Sequence, residues 1–480
     1  MRKIALAALA APFLASSALA AGEQEKNREL TELRAELRAQ IREMKETYEQ
    51  RIAALEQKLV QAEQVASRAE GNARQAADAA ATVAARTPAA ASPAAFNPEM
   101  SLILSGSYTN LSKNVPERRL QGFVPAGGEA MPEAKSFNLG ESELALSANI
   151  DHLFRGNFRL AIAPDNTVGV EEASIQTLGL GEGVNIKAGR FLSGIGYQNE
   201  QHPHQWDFSD APLPYQAFFG NALGMDGVQA RWLAPTPFLL EFGAETARAR
   251  SFPATDSERN KNGAMSGSLF AHLGGDVGIS NSWRAGLSYF QSRPRDRSFD
   301  DPLVVDAAGT PLANRFSGTS KTWIVDGIWK WAPNGNAADR YVKLSGEYFN
   351  RRESGDFTYD TNGTLLGTQR GGYRSRQSGF YAQAVWQFMP HWRVGYRYDQ
   401  LDSGTMALGL IDSGVLTTAD LPLLAAYKPK RNTLMADWSP SEFSRIRLQL
   451  AQDRTRPEAT DNQVWLHYIM SLGAHGAHSF

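Results

Sequence analysis

The sequence predicts an all-β transmembrane barrel of 16 antiparallel strands, preceded by an N-terminal α-helical coiled-coil segment. Three observations predict it: a two-residue hydrophobic period from Ser101 onward, an alternation of tight and long connections between the periodic segments, and a helical heptad pattern upstream. The 480 residues contain no cysteine, which excludes a disulfide framework and any thiol enzyme. A formal net charge of −2 argues against a nucleic-acid binder.

The N-terminal 100 residues divide into three predicted parts. Residues 1–20 form a signal peptide, because Arg2 and Lys3 precede an apolar stretch and Ala18-Leu19-Ala20 is a small-x-small cleavage site. Residues 21–86 form a periplasmic coiled-coil helix, and residues 87–100 form a Pro/Ala linker. Because charged residues interrupt the heptad seam twice, a single solvated helix is the alternative. The seam consists of Leu37, Ile41, Met44, Tyr48, Leu55 and Ala62.

Residues 101–480 carry the predicted barrel. Apolar residues alternate with polar or small ones in segments of about ten residues, which is typical of strands that cross an outer membrane. The connections after odd-numbered strands are long, such as 113–140, 192–225, 293–320 and 350–378, whereas those after even-numbered strands are tight. A soluble β-sandwich also alternates but does not require this rhythm. The sixteen strands start near residues 101, 141, 156, 170, 184, 226, 238, 265, 281, 321, 340, 379, 392, 430, 443 and 463.

Tryptophans occupy the apolar parity near strand ends, which predicts the aromatic girdles at the two boundaries between lipid and water. In a sandwich the same side chains would instead belong to the core. The residues concerned are Trp232, Trp331, Trp386, Trp392 and Trp438.

The opposite parity predicts the residues that face the lumen. Basic and acidic side chains on it are nearly balanced, so counting predicts no ion selectivity. Arginines of neighbouring strands form either one basic wall or a set of salt bridges across the lumen, and the sequence leaves both open. The predicted pore-lining residues are Arg159, Lys187, Arg231, Lys343, Glu347, Arg393, Arg397, Asp399, Arg445 and Arg447.

The long connection 192–225 is the predicted constriction, because its aromatic and proline content is too apolar for a loop in water. Its candidate residues are Tyr197, Glu200, His202, His204, Trp206 and Asp207. His202 and His204 are the candidates for a metal, but nothing in the sequence supplies further ligands convincingly, so we favour polar loop histidines. No catalytic motif is present, which predicts a protein that is not an enzyme and uses no cofactor.

Two stretches resemble the Gram-negative porins, most closely the phosphate-selective porin O/P-like group and its zinc-regulated outer-membrane relatives. They are Lys187-Ala188-Gly189-Arg190-Phe191 and the closing segment from Trp465 to the terminal Phe480. The resemblance implies an outer-membrane, homotrimeric passive channel for small hydrophilic solutes or ions, surrounded by outer-membrane lipid. Phosphate selectivity is not carried over, because the predicted lumen is not dominated by basic residues.

Two other functions are compatible with the sequence. In the first, the barrel is a structural tether or adhesin that anchors the coiled coil, which in turn contacts the cell wall. In the second, the barrel is a metal-related uptake channel, for zinc in particular. A channel and an anchor differ in whether they conduct ions.

Overall fold

The computed structural model describes residues 98–114, 118–127, 134–163, 167–254 and 263–473, together with Lys45. The chain divides into two compact units, residues 1–95 and 96–480. The predicted signal peptide, the coiled-coil seam and Phe480 lie outside the described residues. Within those residues, no helix combines the length and the apolar character needed to cross a membrane.

The second unit is built from strands that pair with their neighbours in chain order. They are β1 (Glu99–Leu111), β2 (Ser136–Leu139), β3 (Ser142–Asn149), β4 (Phe154–Ile162), β5 (Val168–Thr177), β6 (Val184–Leu192), β7 (Gly224–Leu233), β8 (Leu239–Ala249), β9 (Ser266–Val277), β10 (Asn281–Ser292), β11 (Arg297–Val305), β12 (Pro311–Trp331), β13 (Tyr341–Tyr359), β14 (Gln369–Met389), β15 (Trp392–Leu408), β16 (Lys430–Ser441), β17 (Ser444–Arg456) and β18 (Ala459–Gly473).

Sixteen of these strands close into an antiparallel barrel, as the sequence predicts. Closure occurs at β1, which pairs with β3 on one side and with β18 on the other. The two remaining strands are short additions. β2 pairs with residues 106–109 of β1, and β11 forms a hairpin with the start of β12. Closure therefore gives each of the sixteen described strands a partner on both sides over part of its length.

The two faces of the wall alternate in accessibility along each strand. On β14, Tyr381, Gln383 and Val385 are buried on the lumen side, whereas Ala384 and Trp386 are exposed on the outer side. The predicted girdle tryptophans all point outward with 37–52% exposure. Large exposed apolar side chains are therefore placed where lipid, not water, surrounds the barrel.

The wall is much taller on one side than on the other. β12, β13, β14 and β15 have 21, 19, 21 and 17 residues, whereas β3 to β6 have only 8 to 10. A tilted membrane strand needs only about 9–11 residues, so the tall strands extend beyond the bilayer. In that extension the outward face is basic, since Lys321, Arg352 and Arg376 lie side by side on neighbouring strands.

The extension corrects two of the predicted connections. β12 begins at residue 311 and β14 at residue 369, each ten residues before the predicted start. The predicted loop 350–378 is mostly strand, and the predicted loop 293–320 contains the hairpin of β11 with β12. Polar residues on the outward face of these strands removed the apolar alternation from which strands were predicted.

Candidate functional site: the lumen and its inserted segment

The connection between β6 and β7, residues 193–223, lies inside the barrel, and we refer to it as the lumen segment. It contains one short helix, α1 (Leu213–Phe219), all of whose residues are buried. Pro212 precedes this helix, and Gly220 ends it with a φ of +63°, a conformation that favours glycine. Burial of the whole helix in the lumen requires complementary packing by side chains of the wall.

Part of that surface is aromatic. The ring of Tyr215 packs edge-on against Phe349 of β13 at 5.1 Å between centroids, and Phe219 packs against Phe290 of β10 at 5.9 Å. Ile324, Tyr381 and Leu401 of the wall join the same buried cluster. Each aromatic pair of this kind contributes about 0.5–1.5 kcal/mol beyond its buried area. The apolar content of the segment is thereby removed from water.

A buried carboxylate of the wall binds residues 197 and 198 of the segment. Glu347 of β13 accepts hydrogen bonds from the backbone amides of Tyr197 and Gln198 at 3.2 and 3.0 Å. It also accepts the hydroxyls of Tyr215 and Tyr381 at 2.9 and 2.7 Å. Gly196 has a φ of +66°, and any Cβ there would collide with the Glu347 carboxylate. Glycine is therefore required for this close approach.

The aspartates of the segment meet the basic side chains of the wall. Asp207 lies 2.6 Å from Lys343 Nζ and 3.2 Å from Arg393 Nη1. Burial by itself raises the pKa of Asp207, but Lys343 and Arg393 outweigh it and hold the pKa below its ordinary value. Asp207 is therefore ionised where it touches the wall.

A second aspartate of the lumen segment, Asp210, also pairs with two basic side chains of the wall. Asp210 lies 3.0 Å from Arg397 Nη2 and 2.6 Å from Arg431 Nη1, and it accepts the Gln449 amide at 2.9 Å. Burial opposes ionisation here as well, but Arg431 and Arg397 lower the pKa of Asp210 below its ordinary value. Both arginines are buried, and Asp210 shares their compensation with Asp399 of the wall.

The wall also compensates its own arginines. Arg447 lies 2.7 Å from Asp437, Arg397 lies 2.9 Å from Asp399, and Arg393 pairs with Asp437 as well as with Asp207. These pairs of wall residues lie within one strand or between neighbouring strands, not across the lumen. Together with the aspartates of the lumen segment, they compensate the charge of the wall arginines.

At strands β3 and β5 of the barrel, histidines of the lumen segment contact carboxylates of the wall. His202 lies between Glu171 and Glu172 of β5, with Nδ1 3.1 Å from Glu171 and Nε2 2.7 Å from Glu172. His204 Nδ1 lies 2.8 Å from Glu143 of β3. Burial by itself lowers the pKa of His202, but its hydrogen bonds to Glu171 and Glu172 raise the pKa to about 10. The His202 ring is therefore an imidazolium at neutral pH.

The predicted pore-lining residues divide into two groups. Glu347, Arg397, Asp399 and Arg447 face the lumen but are buried beneath the segment. A second group faces the lumen with partial exposure: Arg159, Lys187, Arg231, Lys343, Arg393 and Arg445.

The predicted constriction residues all lie in the segment and contact the wall or one another. Glu200 pairs with Arg231, and the Trp206 indole donates to the Gln201 carbonyl at 2.9 Å. Asp210, Arg431 and Glu171 also contribute to these contacts and were not predicted from the sequence. Arg431 shares the lumen parity of Asp437 on β16, a signal that would have identified it.

The chain has a relative in Aquifex aeolicus, an uncharacterised protein that is 32% identical over 408 residues, which is 80% of each chain. The two proteins belong to one family. No family model matches the chain.

Solved structures with a similar fold are outer-membrane proteins. A loop L8 deletion mutant of Vibrio cholerae OmpT has a TM-score of 0.48 at 9% identity, covering 79% of this chain and 100% of that one. The outer membrane channel DcaP of Acinetobacter baumannii has a TM-score of 0.46 at 10% identity, and the match covers 79% of this chain and 99% of that one. An anion-selective porin from Comamonas acidovorans has a TM-score of 0.45 at 11% identity, and the match covers 78% of this chain and 100% of that one. Similarity to the phosphate-selective group in particular stays a prediction.

Neutralising both aspartates of the segment should loosen it from the wall. Because the chain has no cysteine, a single cysteine at the buried position Ala211 reports the exposure of the segment to a maleimide reagent. In the D207N/D210N variant we expect labelling at least about ten-fold faster, since unpaired buried charges are costly. The matched control is D300N, because Asp300 of β11 is exposed. Equal labelling rates in the three proteins would contradict the electrostatic attachment.

The protonation of His202 is measurable by ¹⁵N NMR of ring-labelled histidine in a buffer that contains EDTA. Because the pKa is raised from 6.5, the imidazolium stabilises the attachment fully below pH 6.5 and this contribution is lost as the pH rises through about 10. The H202Q variant identifies the His202 signal, because that signal is missing from its spectrum. We expect the signal to show a protonated ring at pH 8. Titration of that signal near pH 6.5 would contradict the three-residue contact.

Proposed function

We propose that the protein is an outer-membrane channel through which small hydrophilic solutes or ions diffuse passively, with the lumen segment as its constriction. The observation that carries the proposal is the segment itself, which is attached by side chains to the inside of a sixteen-stranded wall. A barrel of this size encloses more space than its own side chains fill. An inserted segment narrows such a lumen without having to close it.

The outer surface supports a position in the outer membrane of a Gram-negative bacterium. Exposed aliphatic and aromatic side chains cover the outward face, and a basic strip begins where the tall strands extend beyond them. We place the tight connections, such as 390–391 and 442–443, in the periplasm and the long ones outside. This orientation also places the tall wall on the outside of the cell.

Charged side chains that keep partial exposure define the proposed solute path. Arg445 of β17 is weakly compensated: its side chain is 20% exposed, Asp437 lies 3.9 Å away, and its Nε has no hydrogen-bond partner among the described residues. Such a charge attracts anions and repels cations that pass it. Arg445 therefore contributes to the ion preference of the proposed channel.

Planar-bilayer recording tests both points. We expect stepwise currents from the purified protein, and we expect the reversal potential of R445Q in a salt gradient to shift toward that of a cation-preferring channel. The matched control is R454Q, because Arg454 is on the same strand but on the outward face. Absence of stepwise current would contradict the channel and favour the anchor. An equal shift in both variants would contradict the role of Arg445.

We also propose that the chain assembles as a homotrimer through the short wall. Strands β3 to β6 contain no Trp or Tyr, although these residues mark the lipid interface on the tall wall. Their exposed outward residues are mostly aliphatic, such as Ile175 and Ile186, which suit packing against a neighbouring barrel. Lipid would then cover the remaining outward surface.

Single-cysteine variants test this interface. We expect I175C on the short wall to form covalent dimers with a bifunctional maleimide, and native mass spectrometry to give the mass of three chains. V325C on the tall wall is the matched control, because Val325 is similarly exposed but lies on the lipid side. A monomer mass, or equal cross-linking of both variants, would contradict the assembly.

A further inference from the structure

We propose that Glu143, Glu171 and His202 bind a divalent transition-metal ion such as Zn²⁺. The site lies where the lumen segment meets strands β3 and β5. It goes beyond the proposed passive diffusion, because a site of this kind exists whether or not the barrel conducts.

The spacing of the three ligand atoms suits a metal ion. His202 Nδ1 lies 3.1 Å from Glu171 Oε2 and 3.7 Å from Glu143 Oε2, and the three ligand atoms all lie within 4.8 Å of one another. Zinc bonds of about 2.0–2.2 Å in tetrahedral geometry place neighbouring ligand atoms about 3.3–3.6 Å apart. The carboxylates would move closer together as the ion binds, and the three side chains would supply three of the four tetrahedral positions.

An outer layer of hydrogen bonds already orients these ligands. His202 Nε2 lies 2.7 Å from Glu172, which fixes the ring so that Nδ1 points toward the other two carboxylates. Glu143 is held by His204 at 2.8 Å and by Arg159 at 2.7 Å. Metal-binding histidines almost always have such a carboxylate on the second ring nitrogen.

A β-bulge places two consecutive carboxylates on the same face. Arg159 of β4 pairs with Glu172 and the next residue, Leu160, pairs with Val170, so that Glu171 is an extra residue in β5. In a regular strand Glu171 would point away from Glu172, toward lipid. The bulge instead turns it toward His202, and bulges commonly re-aim side chains at functional sites.

The site is closed on one side and open on the other. The side chains of Glu143 and His202 are 1% and 4% exposed, whereas that of Glu171 is 26% exposed. An ion from the lumen can therefore reach the ligands past Glu171.

The test uses the full chain without a polyhistidine tag, treated with EDTA and then dialysed against Zn²⁺ alone. We expect a site occupied at micromolar free zinc and at least a ten-fold weaker affinity in E171Q and in H202Q. The matched control is H272Q, because His272 Nδ1 also contacts a glutamate, Glu241, at 3.0 Å, but its Nε2 has no hydrogen-bond partner among the described residues. A second control, H475Q/H478Q, removes the C-terminal histidines and should keep the site.

Two outcomes would overturn the proposal: zinc affinity unchanged in both E171Q and H202Q, or no zinc retained by the wild-type protein at micromolar concentration. E171Q keeps the test valid if H202Q fails to fold, because Glu171 is partly exposed and its neutralisation preserves its size. X-ray absorption of the zinc-loaded protein gives an independent result. We expect one imidazole and two carboxylate ligands at about 2.0–2.2 Å. A shell without imidazole would contradict the assignment.

Discussion

Charge compensation across the lumen is the constraint on which the rest of the site depends. Arg397 and Arg431 are buried, and each obtains its salt bridge to Asp210 only when the lumen segment is in place. Asp399 on the wall compensates part of their charge, since it lies 2.9 Å from Arg397 and 3.8 Å from Arg431. Removing Asp210 would leave the remaining buried positive charge without compensation, which is costly. The segment and the wall therefore stabilise each other.

Different types of contact hold the lumen segment to different strands of the barrel. Imidazole meets carboxylates at β3 and β5, backbone amides meet Glu347 at β13, and aspartates meet arginines at β15 and β16. Aromatic packing of α1 fills the space between these contacts. A shift of the segment along the wall would break several contacts at once, and this fixes its register in the proposed constriction.

Strand order and strand parity could be predicted from the sequence because lipid imposes an apolar residue at every second position. The starts of β12 and β14 could not, since Lys321, Arg352 and Arg376 face outward beyond the bilayer, where no apolar residue is required. The pairing of Asp210 with Arg431 depends on how the segment crosses the lumen, which no local pattern encodes. The bulge at Glu171 likewise exists only in the register between β4 and β5.

A double-mutant cycle on Asp210 and Arg431 tests the charge compensation most directly. The measurement is the free energy of unfolding of D210R, R431D and the variant with both changes. If opposite charges hold the segment to the wall, each single reversal destabilises the protein and the double reversal recovers part of the loss, with a coupling of at least about 1 kcal/mol. Recovery is partial because Arg397 also contacts Asp210. Strictly additive losses would contradict the account.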